Sequence, residues 1–553
     1  MQKLKNRSWA SELLIFSIAA TTLVISTWSV DPFNAPKQSV LIVTSIFIFF
    51  TILPSINKVT IKTFKLPLVL MAFFLIQCLL VLIFSSNNFY QDFYGVFTRN
   101  NGFITYFSLG LFFLNTLLLA DKNFLEIFSK SILVIGFIVI LFGLLQYFSL
   151  VPNELISTNR QIVGVFGNMN FQSAFLAFIT IASFAFIIDK KISKRNKFLS
   201  YVVFVLSVIE IFLIYVSGSS QGVYVSLIGV SFVIYFKIKS SGNFVVARLY
   251  LISNVFMLLF GVLGTLNKGP LGKFLYEISI ADRGYCMNAG LNMIKSNPVF
   301  GVGFDGYSDL YRIYRSDNAV IKKGTDAVCD TAHSVILDIA TFGGLPLLFI
   351  YLTLVILVII SIVKVVSREK SYNSAFVAVC GVWVGYQIQA VISINQIGIG
   401  LWGWILSGFI IGYEISGRRV NTEIQLNNSP RFKILLPTIG LVIGLFIGIP
   451  NYVYGVKFSS AFKTLDAVKI VNASTSKPYN QYPMWIASYQ LLKSNLPKES
   501  LIVAQKLISE FPNSYDGWRI IHSNPTASAE LKAVALEQMK RLDPLNKNLN
   551  LLG

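Results

Sequence analysis

Charge is scarce in this sequence. Only 13% of its 553 residues are Asp, Glu, Lys or Arg, about half the roughly 25% of an ordinary soluble domain. Histidine is scarcer still, with two, His333 and His522, and cysteine occurs four times. Neither HExxH nor CxxC is present, so the familiar zinc-ligand spacings are missing. No Asp-x-Asp pair lies between residues 267 and 332 to hold a metal–sugar-nucleotide complex. "GSSQG" at 218–222 departs from the G-x-S-x-G register of a nucleophile elbow. These absences set the expectation of no metal and no cofactor. Acidic residues inside apolar runs are few, Glu210 being the clearest, whereas a proton-coupled transporter more often carries several. No inverted repeat is evident, which also weakens a transporter reading.

Long apolar runs are what the chain has. Hydrophobic residues make up 54% of it, and the mean hydropathy is +0.65. "LLIFSIAATTLVIS", "LIVTSIFIFFTIL", "VLMAFFLIQCLLVLIF" and "SILVIGFIVILFGLL" each approach the roughly 20 apolar residues that span a bilayer and lack the polar face of an amphipathic helix. Thirteen candidate spans are predicted, near 9–29, 38–56, 67–85, 102–120, 130–150, 169–189, 198–217, 220–237, 248–266, 345–364, 374–393, 398–416 and 433–453. "MQKLKNR" before the first run could open a signal peptide, but the run is long and no A-x-A site follows, so a retained span is expected. The fold class is all-α: a polytopic transmembrane bundle of about 12–13 spans with a large extracytoplasmic loop and a small helical C-terminal domain.

The net charge of +20 could suggest nucleic acid, but its distribution argues otherwise. With the N-terminus in the cytoplasm, 23 Lys and Arg residues fall on inner segments and only Lys37, Arg99 and Arg160 on the short outer loops. This is the asymmetry that orients membrane proteins, and no nucleic-acid partner is expected. It puts two large segments outside: a loop at about 267–332, within a transmembrane domain at 1–453, and a tail at 454–553.

The outer loop contains "NPVFGVGFDGY", whose Gly301, Gly303 and Gly306 match the G-x-G-x-x-G of a dinucleotide turn. That fingerprint requires a βαβ unit, and here a probable helix closed by Pro298 precedes it. A tight turn against the membrane surface is the better expectation. His333 stands where the loop ends and an apolar helix begins. It is either an ordinary interfacial polar residue or, as the side chain that titrates near neutrality, a base or phosphate ligand. His522, in the tail, is expected to be solvated or capping.

Taken in order, "DRGYCMNAGLNMIKSNPVFGVGFDGYSDLYRIYR" and "DTAHSVILDIATFGGLPLL" resemble the O-antigen ligase and polymerase superfamily of bacterial membrane glycosyltransferases. "RQIVGVFGNMNFQSAFLAF" is similar to the family's G-x-F-x-N-x-N span start, and "DPFNAPKQSVL" to its first loop. The resemblance covers roughly residues 30–415. It implies transfer of a glycan from undecaprenyl diphosphate to an acceptor hydroxyl at the outer face of the bacterial cytoplasmic (inner) membrane. The acceptor would be a glycan, lipid or protein; a polysaccharide polymerase or, from another class, a lipid-linked sugar transporter are the alternatives. Arg283 matches the family's functional arginine and His333 its essential histidine. The physics agrees: a guanidinium offers a leaving diphosphate bidentate hydrogen bonds, and His333 could take the acceptor's proton or share the diphosphate. One position departs from the pattern. Where the family often has Arg, this chain has Gln221, so either Arg160 or Arg99 supplies the missing cation or the donor is held differently.

In the tail, "ESLIVAQKLISEFPNSYDGWRII" and "ELKAVALEQMKRLDPLN" resemble tetratricopeptide-type helices, through Ala504, Pro512, Trp518 and the Leu542–Pro544 end. Two or three imperfect repeats fit. The tail would recruit an envelope-assembly partner or cap the outer loop. Of the cysteines, Cys78 and Cys380 lie in apolar spans as small buried hydrophobes. Cys286 and Cys329 lie in the outer loop, where an oxidising compartment permits a disulfide; the alternative is two unrelated thiols.

Overall fold

The computed structural model describes residues 2–85, 88–152, 155, 161–189, 197–275, 278–369, 371–418 and 430–551. Among them every regular element is helical. The principal helices are α1 (Gln2–Leu23), α2 (Asn34–Ile52), α3 (Lys65–Phe84), α4 (Phe103–Leu119), α5 (Lys122–Tyr147), α6 (Met169–Ile187), α7 (Lys197–Val216) and α8 (Ser220–Ser240). They continue as α9 (Phe244–Thr265), α10 (Ile278–Ser296), α11 (Tyr307–Tyr314), α12 (Val335–Arg368), α13 (Ser374–Ile392), α14 (Ile397–Ser416) and α15 (Pro430–Lys463). Ten helices of the described residues are long and apolar enough to cross a membrane, and three shorter apolar ones accompany them. These answer one for one to the thirteen runs read from the sequence. α14 sits at the centre of the bundle, 94% of its apolar window being buried, and α9 at the edge, with 6%.

Small residues let the helices approach. Gly440, Gly444 and Gly448 face α2 at four-residue spacing, where a Cβ would meet Phe50, Val43 and Ser39. Gly408 and Gly412 lie as closely on the α4 carbonyls of Phe113 and Leu117. With no hydrophobic drive between helices in lipid, such close packing is what holds them. α1 stops at Leu23 rather than running to 29, because the chain turns there: Ser26 N donates to Pro32 O, and the buried Lys37 ammonium takes the Val24 carbonyl at 2.6 Å. α12 breaks at Gly344 (φ 75°, ψ 178°), with Pro346 two residues on. A short helix after Ser334 is thereby set apart from the span proper.

Beyond α15, which continues past residue 453 to Lys463, come α16 (Ala467–Ser474), α17 (Gln481–Lys493), α18 (Pro497–Glu510), α19 (Tyr515–Ser523) and α20 (Ala529–Leu542). α17 packs on α18, and α19 on α20. Ala504 and Trp518 are core residues, and the Trp518 indole N–H donates to Pro512 O at 2.8 Å. The tail docks on the 267–332 loop through buried ion pairs: Asp543 accepts from Arg312 at 3.1 Å and Arg315 at 2.6 Å.

Candidate active site

Four chain segments meet where α12 begins. The first is α10, which carries Arg283. Its guanidinium donates to the Ile392 carbonyl at 2.8 Å, at the C-terminal end of α13, where carbonyls are otherwise unpaired and a cation is favoured. The second is the stretch before α12, tied to α10 by a Cys286–Cys329 disulfide whose Cα atoms are 5.8 Å apart. The bond anticipated as one of two possibilities is therefore formed, and it brings Asp330 and His333 to the helix that bears Arg283.

The backbone at His333 is left-handed, with φ 55°, a conformation uncommon outside glycine and concentrated at functional sites. Three contacts impose it. Ala332 N–H donates to Asp338 at 2.8 Å, His333 N–H to the Thr331 hydroxyl at 3.1 Å, and Val335 N–H to Ser393 O at 3.1 Å. The side chain is half-buried. Burial lowers its pKa from the ordinary 6.5; the Arg283 and Arg99 charges push the same way, and Asp330 opposes them. The shift favours the neutral imidazole, which can accept a proton.

The third segment is the 95–101 loop with Arg99. The guanidinium binds Asp330 through Nε, at 2.6 Å, and through Nη2. Arg99, proposed only as a substitute cation, thus lies near enough to His333 to act on its charge, as does its partner Asp330, which the sequence reading did not single out. "CDTAH" places it three residues before the histidine, which was the signal available.

The fourth is the glycine turn, whose backbone is taken up by contacts with α12. Gly301 (φ 67°) lies so close to α12 that a Cβ would sit 2.4 Å from Thr341 O and Phe342 C. Val302 N–H and Gly303 N–H donate to Thr341 O and Phe342 O. The turn packs on the α12 backbone, and it delivers Asp305 to the Arg99 loop. Asp305 accepts from Val96 N–H at 2.8 Å and Asn101 N–H at 3.1 Å. Burial raises it to about 6 against the pull of those donors and of Arg99. A cavity of about 30 Å³ lies between the turn and α12, lined by Asp305, Asp330, Asp338 and Asn101 among others; it has room for about one water. Among the described residues no group of three His, Cys, Asp or Glu is placed to hold a metal ion.

Gln221, in the first turn of α8, bonds to none of these residues. The G-x-F-x-N-x-N stretch meets it there: Asn168 caps α6, and Asn170 accepts from the Ser219 hydroxyl at 2.7 Å. Gln221 is buried, and neither amide atom has a hydrogen-bond partner; the same holds for Gln172 of α6 and for the Gln389 nitrogen of α13. α6, α8 and α13 pack on one another. A Cβ on Gly381 would meet Ile181 and Val233, and one on Gly385 would meet Phe178 and Val225. α13 therefore runs antiparallel to both partners, and the three glutamines share the Ile392 end. Buried amides without partners are rare, and these are groups a polar ligand could satisfy. Arg160 lies outside the described residues.

Residues 162–352 match the family model for O-antigen ligase. Arg283, Gln221 and His333 fall inside that stretch, whereas Arg99 and the tail fall outside it. No curated protein matches the chain.

Proposed function

We propose, from the premise that this is an O-antigen ligase-like membrane glycosyltransferase, that it moves a glycan from undecaprenyl diphosphate to an acceptor hydroxyl at the outer face of the cytoplasmic membrane. His333 takes the hydroxyl proton. The oxygen then attacks the anomeric carbon, the bond from that carbon to the diphosphate breaks, and the lipid diphosphate leaves with the electron pair. Asp330 stabilises the imidazolium formed, and the Arg283 guanidinium faces the charge that gathers on the leaving group. The lower the local dielectric, the more strongly such a donor acts. Arg99 orients Asp330 and adds positive charge. Gln221, at the position where the family often has arginine, and Gln389 on the neighbouring helix offer amide donors without charge.

The observation that carries this reading is the convergence of Arg283, Arg99 and Asp330 on one left-handed, half-buried histidine. The glycan phenotype of a deletion strain tests it. Complete chains that remain on the lipid carrier support ligation. Acceptors bearing only short chains point to a polymerase, and intermediates held inside the cell to a transporter.

A further inference from the structure

The 95–101 loop that carries Arg99 is held in a conformation its own residues disfavour. Gly95, Thr98 and Asn100 have φ of 92°, 79° and 57°, and for a β-branched residue such as Thr98 that region is strongly unfavourable. A loop of this kind persists only when its surroundings fix it. The backbone partners come from three distant parts of the chain. Gln38 of α2 takes the Tyr94 and Asn100 carbonyls at 2.5 and 3.1 Å, and Asn34 takes the Thr98 carbonyl at 2.6 Å. Asp305 accepts from Val96 and Asn101. The remaining pair belongs to the tail. The Asn480 amide nitrogen donates to Gly95 O at 3.0 Å, and its oxygen accepts from Phe97 N–H at 3.2 Å. Asn480 is buried, at 2% exposure.

We infer that the tail is a working part of the active site and that Asn480 is a positioning residue for Arg99. This rests on the glycosyl-transfer reading above. A single amide serves both a carbonyl and an N–H two residues apart, as a neighbouring strand would, and so fixes the loop just before Arg99. The clasp has its own foundation, because α17, which Asn480 caps through Tyr482 N–H, is held to the outer loop by Gln481 donating to Asp309 at 3.0 Å. When the clasp is lost, the loop relaxes from its left-handed turns and Arg99 leaves Asp330. His333 then loses one neighbouring cation and feels Asp330 more strongly, so its pKa rises.

Two variants separate positioning from mere folding. Asn480→Ala removes both bonds and the α17 cap. Asn480→Asp keeps the cap and the bond from Phe97 N–H but cannot donate to Gly95 O. With full-length protein in lipid nanodiscs, both should lower kcat tenfold or more with little change in donor KM. Both should also shift the acid limb of the kcat–pH profile upward, as Arg99→Ala does. In the Arg99→Ala background, Asn480→Asp should add less than a twofold loss, because both act through one side chain. Amide exchange over residues 94–101 should rise in both variants irrespective of chemistry. Unchanged exchange overturns the clasp. Raised exchange with a wild-type pH profile, or fully additive losses with Arg99→Ala, overturns the positioning role. A wild-type protein with no transfer activity overturns the proposed reaction instead, and the exchange result still decides the clasp.

Discussion

Asp543 is the strongest single link between the tail and the outer loop, and removing it should release the tail. Its carboxylate is wholly buried between Arg312 and Arg315, whose side chains are 5% and 1% exposed. Asp543→Ala strands two guanidinium groups in that interface, and breaking a buried ion pair in this way costs about 3–5 kcal/mol. The lower end fits better. Arg312 keeps its bond to Thr325 O and its stacking over Tyr515, with the ring centroid 4.1 Å away, and Arg315 keeps Thr325 O and Ala327 O. About 3 kcal/mol is roughly a hundredfold in the docking equilibrium. Amide exchange and limited proteolysis of the intact protein read this directly, with protection of residues 515–542 falling by about that factor. Substituting all three partners, Asp543→Leu with Arg312→Met and Arg315→Met, should restore much of the protection, because no charge is then left unpaired. Wild-type protection in Asp543→Ala would show that this carboxylate does not hold the tail.

The pH dependence has a definite sign. Since the folded-state pKa of His333 is depressed below 6.5, its contribution to stability is complete above the unfolded value and is lost as pH falls through the folded one. Transfer should fail in the same acid range, and Arg99→Ala should fail at higher pH; a profile flat from pH 5 to 8 would count against a base role. The Cys286–Cys329 bond spans 43 residues, for which chain entropy gives about 4 kcal/mol. Cys286→Ser should lower stability and activity together, and free alkylation of both thiols in native, unreduced protein would disprove the bond. Gly301→Ala drives a Cβ into the α12 backbone at 2.4 Å and should abolish assembly of the site, whereas Gly218→Ala, also at positive φ but with nothing within 4 Å, should cost only about 1–2 kcal/mol. Comparable abundance and activity of the two variants would contradict the role given to the turn.

The membrane bundle was legible because apolar length and charge asymmetry act locally, and each run records its own span. Arg283, His333 and the cysteine pair could be read from types and spacing, since one loop carries them all. Asp330 was passed over because an aspartate near a histidine says nothing until a third group, Arg99, is brought from more than 200 residues away. The tail's role was less legible still. Ala504, Pro512 and Trp518 pack the tail's own helices, while the residues that tie it to the site, Asn480 and Asp543, look in sequence like an ordinary helix cap and helix end. Gly440, Gly444 and Gly448 did show the spacing of a helix-packing stripe, and their seat on α2 could have been anticipated. The glycine turn matched a nucleotide motif because close backbone approach selects glycine whichever partner approaches, a phosphate there and a helix backbone here.

The proposed reaction is glycan transfer from a lipid diphosphate by His333 and Arg283. It is tested most directly with purified protein in nanodiscs, an undecaprenyl diphosphate-linked glycan and a hydroxyl acceptor, by measuring glycosylated acceptor and released lipid diphosphate in equal amounts. The wild-type protein should form both. His333→Ala and Arg283→Ala should each lose about 100-fold or more while remaining folded in the membrane, and Arg283→Lys should also be poor, since a point charge does not reproduce the guanidinium fork. Near-normal transfer by His333→Ala would contradict the account and leave that residue an interfacial histidine.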